Sequence, residues 1–321
     1  MKKVSVIMPA YNAENFIRRS LDSLVGQTIG DGLEIIVVND GSTDETWGVM
    51  QEYAQKYPAL IQIYTKENGG QATARNMAIP FCTGEYVCCI DSDDYVASDM
   101  FEKMYDLAIK EQADMVVCDS YEDIGGNLRR ITYKDYPDKR YVYIDGWVSP
   151  CNKIYKRSIL MENDIRFPEG YIYEDTAFFA FMVPYLNKIV NIHEPLFYRV
   201  VRENSTMTTK QGERTAQIFP VMESVVNFYE QHGLTKEYRD ELEYFYMRIL
   251  LFGSINRISH IRDKKLRRAY SLQSLKNVKE KFPNYKKNPY LKGGKKLYIR
   301  LLNPFTVRLV TFVMGKKKLK V

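Results

Sequence analysis

The chain has 321 residues, room for one large domain or two ordinary ones, and its 45% hydrophobic share is enough for a real core. Five cysteines, an odd number with no Cys-x-x-Cys pair, argue against a disulfide framework and for reduced, buried thiols in a cytoplasmic protein. The net charge of +6 hides an asymmetry: residues 262–321 carry 19 Lys+Arg against 2 Asp+Glu, and the first 261 hold 27 basic and 38 acidic residues, so the tail wants an anionic partner.

The first 120 residues alternate strand and helix patterns. Val4–Met8 is a short apolar strand, too short for a signal-peptide core, and it runs straight into Pro9-Ala10-Tyr11-Asn12. Phe16, Ile17, Leu21, Leu24 and Val25 recur at helical spacing, so a helix is expected over 14–25. Leu33–Val38 reads as a buried strand and Asn39-Asp40-Gly41-Ser42 as a turn, with Ser42 or Thr43 capping a helix to about Tyr57. Ile61–Tyr64 is a third strand, and Asn68-Gly69-Gly70 turns into a helix through Arg75. Tyr86–Ile90 is a fourth strand, followed by Asp91-Ser92-Asp93-Asp94, a helix over 99–110, and a fifth strand at Asp114–Cys118. Strands alternating with helices of this length predict an α/β fold with a mostly parallel, doubly wound sheet.

Beyond Ser120 the pattern weakens. Irregular strands are expected to about Ile144, short helices at Ser158–Asn163 and Glu174–Tyr185, and a last strand at Leu196–Val201. From Gly212 the chain reads as helical to its end, and no run reaches the length of a membrane-spanning helix.

The carboxylates of 91–94 stand at the end of a buried strand, where open α/β sheets bind ligands. Packed this tightly they repel one another unless a cation sits among them, and a hard divalent ion such as Mn²⁺ or Mg²⁺ suits oxygen donors. Alone, an Asp-x-Asp triplet is also an ordinary acidic turn.

Six short motifs occur in an informative order: Val4 to Asn12, Val38 to Asp44, Glu67-Asn68-Gly69-Gly70, Ala74-Arg75-Asn76, Asp91-Ser92-Asp93-Asp94 and Glu174-Asp175. Over roughly residues 1–210 the chain resembles the family 2 glycosyltransferases. The resemblance implies the GT-A fold, a Rossmann-like mostly parallel sheet flanked by helices. Its nucleotide-sugar half would cover about 1–120 and its acceptor half about 121–211, followed by a helical region at 212–321. It also implies an inverting, metal-dependent transfer from a nucleotide-diphosphate sugar, UDP-linked by preference, to a hydroxyl of a glycan or lipid-linked acceptor in bacterial surface-polymer synthesis.

Site roles follow from the same resemblance. Pro9, Ala10 and Tyr11 would lie against the base, and Asp40 would accept a hydrogen bond from a uracil N–H. Asn68, Arg75 and Ser92 would complete the nucleotide pocket, with Arg75 paired to Asp91; Asp91 would hold the ribose and Asp93 the metal, and Asp94 would be structural or acceptor-facing. Asp175 would be the general base, with Glu174 supporting it, and Arg199, Arg202 and Ser205 would reach the diphosphate.

In the tail, apolar and aromatic residues over 295–320 are enclosed by lysines, with Arg300 and Arg308 among them. This fits a segment lying on an anionic membrane surface, which would make the protein cytoplasmic and peripheral; a docking helix or homo-oligomer contact is the competing reading. Nucleic acid is not expected, because the body is acidic and no recognition motif accompanies the lysines. A sugar nucleotidyltransferase would need a Gly-rich, Lys/Arg-containing loop after the first strand, where Pro9-Ala10-Tyr11-Asn12 stands. A catalytically idle, membrane-binding scaffold is the other rival, and the complete set of carboxylates speaks against it.

Overall fold

The computed structural model describes residues 1–202 and 212–316. The chain divides into two compact units, one made of Met1–Lys139, Trp147–Gly170 and Glu174–Arg202, the other of Arg140–Gly146, Tyr171–Tyr173 and the chain after Arg202.

The first unit is built on one nine-stranded sheet: β1 (Val4–Ala10), β2 (Leu33–Asp40), β3 (Ile61–Lys66), β4 (Tyr86–Cys89), β5 (Tyr95–Val96), β6 (Met115–Ile124), β7 (Asn127–Ile131), β8 (Lys153–Lys156) and β9 (Ile189–Val200). The order is β3-β2-β1-β4-β8-β6-β9-β5, with β7 paired to β6. Strands β1 to β4 pair in parallel and β6 pairs in parallel with β9; β8 enters antiparallel between β4 and β6, so most of the paired positions are parallel. Every residue of β1 and β2 is buried, as strands covered on both faces require. The connecting helices are α1 (Ile17–Val25), α2 (Thr46–Lys56), α3 (Gln71–Ala78) and α4 (Met100–Glu111).

The expected order of elements over the first 120 residues is present, with the short strand β5 added after the acidic cluster and β6 running on to Ile124. Helix α2 starts at Thr46, and neither Ser42 nor Thr43 caps it; Asp44 Oδ1 accepts the Thr46 N–H instead, at 3.0 Å. Ser42 and Thr43 are tied to Asn12, whose N–H donates to Ser42 Oγ and whose Oδ1 accepts the Thr43 N–H. Downstream, β9 begins at Ile189, seven residues before the expected start. Its Asn191, His193, Glu194 and Pro195 mask the strand pattern, and a register shift against β6 lies at Cys118–Ser120. The Gly125-Gly126 pair, with φ of +60° and +89°, closes a tight β6–β7 hairpin that only glycine-like backbone allows.

The second unit is helical, with helices at Ile218–Gln231, Arg239–Met247, Ser254–Ser259, Lys264–Lys281, Gly293–Leu301 and Pro304–Met314, and a short one at Val142–Asp145. Its core is rich in tyrosine: Tyr143, Tyr229 and Tyr238 are buried and their rings meet edge-on or tilted, with the Tyr143 and Tyr229 hydroxyls hydrogen-bonded to each other. No helix among the described residues is long and apolar enough to cross a membrane.

Candidate active site

Parallel pairing brings the carboxyl ends of β1, β2 and β4 to one edge of the sheet. Chain order reverses between β1 and β4, so the loops carrying Tyr11 and Asp91 flank a topological switch point, the usual crevice for a ligand in such sheets. Pro9 and Ala10 are buried within β1, and Tyr11 is 51% exposed just beyond them. The loops after β1 and β2 are laced together, since the Ala13 N–H donates to Thr46 Oγ1 at 2.7 Å and the Glu45 N–H to Glu14 Oε2 at 3.0 Å. Tyr11 therefore projects from a fixed loop.

Asp40 is buried at the end of β2 and organises the turn that follows β3. Its Oδ1 accepts from Lys66 Nζ at 2.8 Å and from the Gly69 N–H at 2.9 Å, and its Oδ2 accepts from the Gly70 N–H at 2.7 Å. Asn68 Nδ2 donates to the Asp40 carbonyl at 2.9 Å. Gly41 makes this approach feasible: its φ is +72°, and a Cβ there would meet the Asn68 nitrogen at 2.7 Å. Three of the roughly four acceptor directions of the Asp40 carboxylate are used by the protein, which leaves one on Oδ2 for a donor on a ligand.

Arg75, on α3, is the hub of the site. It is 2% exposed, and its guanidinium forks between Asp91 Oδ1 at 2.7 Å and Glu174 Oε1 at 2.8 Å. Burial works against its charge, but the two carboxylates outweigh it and hold the guanidinium protonated. Phe167 lies beneath it, stacked in turn on Phe178, with ring centroids 3.9 Å apart. Asn76, next in sequence, fixes Phe167 by accepting its N–H and donating to its carbonyl, both at 2.8 Å.

The acidic cluster is not uniform. Asp91 faces Arg75, and Asp93 forms an ion pair with Arg202. Asp94 is buried and accepts the Val200 N–H at 2.8 Å, a structural role tying the cluster to β9. Burial and then repulsion from Asp91 push the Asp93 carboxyl above the usual range, against the pull of Arg202. Burial, with Asp93 and Asp91 beside it, raises Asp94 further. Asp91, Asp94 and Cys151 can bring ligand atoms within 4.8 Å of one another. Burial also pushes the Cys151 thiol well above its ordinary pKa, so it stays a neutral neighbour. The crowded oxygen donors of 91–94 suit a hard divalent cation, which would relieve their repulsion.

Glu174 and Asp175 open the helix Glu174–Met182, and the preceding Tyr173 holds a positive φ of +74°. Burial raises the Glu174 carboxyl to about 7, against the pull of Arg75 and with Asp175 adding to the rise. Asp175 is half-buried; its Oδ1 accepts the Thr176 N–H at 2.7 Å, and its Oδ2 has no hydrogen bond among the described residues.

The structure thus gathers Arg75, Asp91 and Glu174 into one set of ion pairs, and Asp93 pairs separately with Arg202. Arg199 is engaged elsewhere, pairing with Glu122, which also holds Arg129. Ser92 is half-buried in the loop beside Asp91, and Ser205 lies outside the described residues. Three contributors went unseen in the sequence: Asn76 as the clamp on Phe167, Phe167 itself, and Lys153 of β8. Lys153 is 1% exposed and donates to the Ser149 carbonyl and Asn152 Oδ1; burial lowers its ammonium to about 7. A lysine in the short apolar-aromatic run Lys153–Lys156 was the available signal.

Comparison with known proteins gives a consistent picture. The family described as Glycosyl transferase family 2 matches residues 5–175. EpsH of Bacillus subtilis (strain 168), named as a glycosyltransferase, is 31% identical over 86% of this chain and 81% of its own. The poly(ribitol-phosphate) beta-glucosyltransferase of Bacillus spizizenii is 34% identical over 52% of this chain and 27% of its own. In fold, the chain is similar to residues 1–349 of S. aureus TarS in complex with UDP-GlcNAc, with a TM-score of 0.75 and 24% identity, covering 96% of this chain and 90% of that one. The sheet, its helices and the motif order accord with these likenesses, and the chain belongs to glycosyl transferase family 2 as a glycosyltransferase.

Proposed function

We propose that this enzyme is an inverting, metal-dependent glycosyltransferase that moves a sugar from a UDP-sugar to a hydroxyl of a glycan or lipid-linked acceptor in the synthesis of a bacterial surface polymer. The observation that carries the reading is Arg75, which joins the donor-side carboxylate Asp91 to the Glu174-Asp175 helix start in one buried unit. The fold shared with the TarS–UDP-GlcNAc complex supports a UDP-linked donor, and the names of the poly(ribitol-phosphate) enzymes support a surface-polymer acceptor.

In this reading Pro9, Ala10 and Tyr11 receive the base, Asp40 accepts from the ring N–H through its remaining acceptor direction, and Asn68 holds the turn in place. Asp91 and Ser92 bind the ribose side. Asp93, with Asp91 beside it, would hold Mn²⁺ or Mg²⁺, which when bound neutralises charge on the departing diphosphate as a Lewis acid. Arg202 and Ser205 serve the same diphosphate, and Arg199 joins them only if it leaves Glu122. Asp175 takes the proton from the attacking hydroxyl on Oδ2, the oxygen without a protein partner among the described residues. Glu174 is committed to Arg75 and steadies the helix start. Displacement from the face opposite the leaving diphosphate inverts the anomeric centre. The basic tail keeps the enzyme on the inner face of the membrane, where a lipid-linked acceptor would be found.

The test is nucleotide release from UDP-, GDP- and dTDP-sugars with Mn²⁺ and with EDTA, beside Asp93→Ala. Release from one UDP-sugar, lost with EDTA and in the variant, supports the reading. Release that persists in both would remove the metal role, and no donor binding by calorimetry would return the idle scaffold.

A further inference from the structure

We propose that a pocket between the helices Lys264–Lys281 and Pro304–Met314 binds the headgroup phosphate of an anionic phospholipid and seats the second unit on a membrane; this deepens the membrane reading above and rests on it. Lys264, Arg267, Arg268 and Arg308 line an open cavity of about 170 Å³ together with Ser271 and Phe312. None of the four cations has an ion pair with a carboxylate among the described residues. Asp263, the adjacent acid, spends its Oδ1 on the N–H groups of Lys265 and Leu266 as a helix cap. Four positive charges around one cavity, without a counter-ion among the described residues, ask for an anion, and arginine forks suit phosphate oxygens.

A second observation selects the source of that phosphate. Phe305, Leu309, Phe312 and Val313 recur at helical spacing and are 49–65% exposed, while Val307 and Thr311 are buried on the other side of the same helix. On the preceding helix Leu297 and Leu301, one turn apart, are each 60% exposed, and Ile299 is buried. Isolated exposed apolar residues are ordinary, but two consecutive helices presenting them in stripes are not. Phe312 belongs to both features, so the cationic pocket opens at the margin of the apolar stripe. A phospholipid has that same layout, an anionic head beside acyl chains. A soluble polyanion would account for the cations and leave the stripe unexplained. A second copy of the chain would bring like charges together, since residues 262–321 carry 19 basic and 2 acidic residues.

The experiment is vesicle co-sedimentation of the full chain, with phosphatidylcholine alone and with phosphatidylglycerol mixed in. The variants are Arg268→Ala/Arg308→Ala and Leu309→Ser/Phe312→Ser, with donor hydrolysis as the control for a folded first unit. Each basic residue near an anionic surface contributes about fivefold to partitioning, so the arginine pair should weaken binding to phosphatidylglycerol vesicles about 30-fold. The apolar pair should weaken binding to both vesicle types. If the arginine variant partitions as the unaltered chain does while that chain sediments, the pocket is wrong and the broader membrane reading stands. If the unaltered chain sediments with neither vesicle, both fall, while donor hydrolysis still reports on the transferase reading. Calorimetric binding of inorganic phosphate or of RNA without vesicles, unchanged by the apolar pair and as tight as vesicle binding, would overturn the lipid source.

Discussion

Asp175 and Lys153 show how differently two polar groups of one site behave. Removing the proposed base should stop chemistry without removing the donor: Asp175→Asn is expected to lower turnover by about 10²–10⁴-fold, with UDP-sugar affinity retained, read by product formation and calorimetry. Lys153 makes a prediction about stability. Its ammonium is lowered to about 7 by burial, so between pH 7 and its ordinary value of 10.5 the unfolded chain binds more protons than the native one. The contribution of this lysine to native stability then rises with pH across that window, and Lys153→Met should remove that contribution, as seen by comparing the pH trend of unfolding midpoints of the two chains at pH 7, 8 and 9.5. The carboxylates stood out in the sequence because they fall at ends of patterned strands and helices, and the pairing of Arg75 with Asp91 followed from the family resemblance. Phe167 and the grip of Asn76 on it were not legible there: the two residues lie 91 positions apart, and only the folded chain shows the side-chain amide holding a distant backbone. Arg199 was assigned from the family resemblance of its segment, and strand pairing opposite Glu122 gives that arginine a nearer partner.

At the level of elements, the site depends on two close fittings. Arg75 compensates Asp91 and Glu174 at once in a nearly dry position. Arg75→Met leaves two carboxylates without their cation, and a loss of about 3–5 kcal/mol is expected in urea unfolding, since breaking a buried pair strands its partner. The β2 turn is the other fitting. Gly41→Ala puts a Cβ at 2.7 Å from the Asn68 nitrogen at a positive φ, so a loss of about 1–3 kcal/mol and weaker UDP binding should appear together. Elements with clean periodicity, from β1 through α4, were readable ahead of the structure. β9 was half-readable, because a polar, proline-bearing stretch with a register shift carries no regular alternation, and its pairing with β6 is set by tertiary contacts.

For the whole molecule, the split of charge between an acidic body and a basic tail separates two kinds of behaviour. Raising ionic strength should release the protein from phosphatidylglycerol vesicles while leaving donor hydrolysis nearly unchanged, because surface charges are screened and the buried Arg75 pairs are not. Composition made the two regions visible from the outset, but it could not say that the tail's apolar residues would be sorted into exposed stripes, which depends on where each helix is packed. The forked guanidinium has one more consequence. Because a single side chain neutralises both Asp91 and Glu174, neither carboxylate can be transplanted or retuned alone. A redesign that replaces Asp91 would leave Glu174 with an unshared cation, and grafting a foreign helix lacking Glu174 would do the same to Asp91. Engineers wishing to exchange donor and acceptor modules in this scaffold would have to carry the three residues across together.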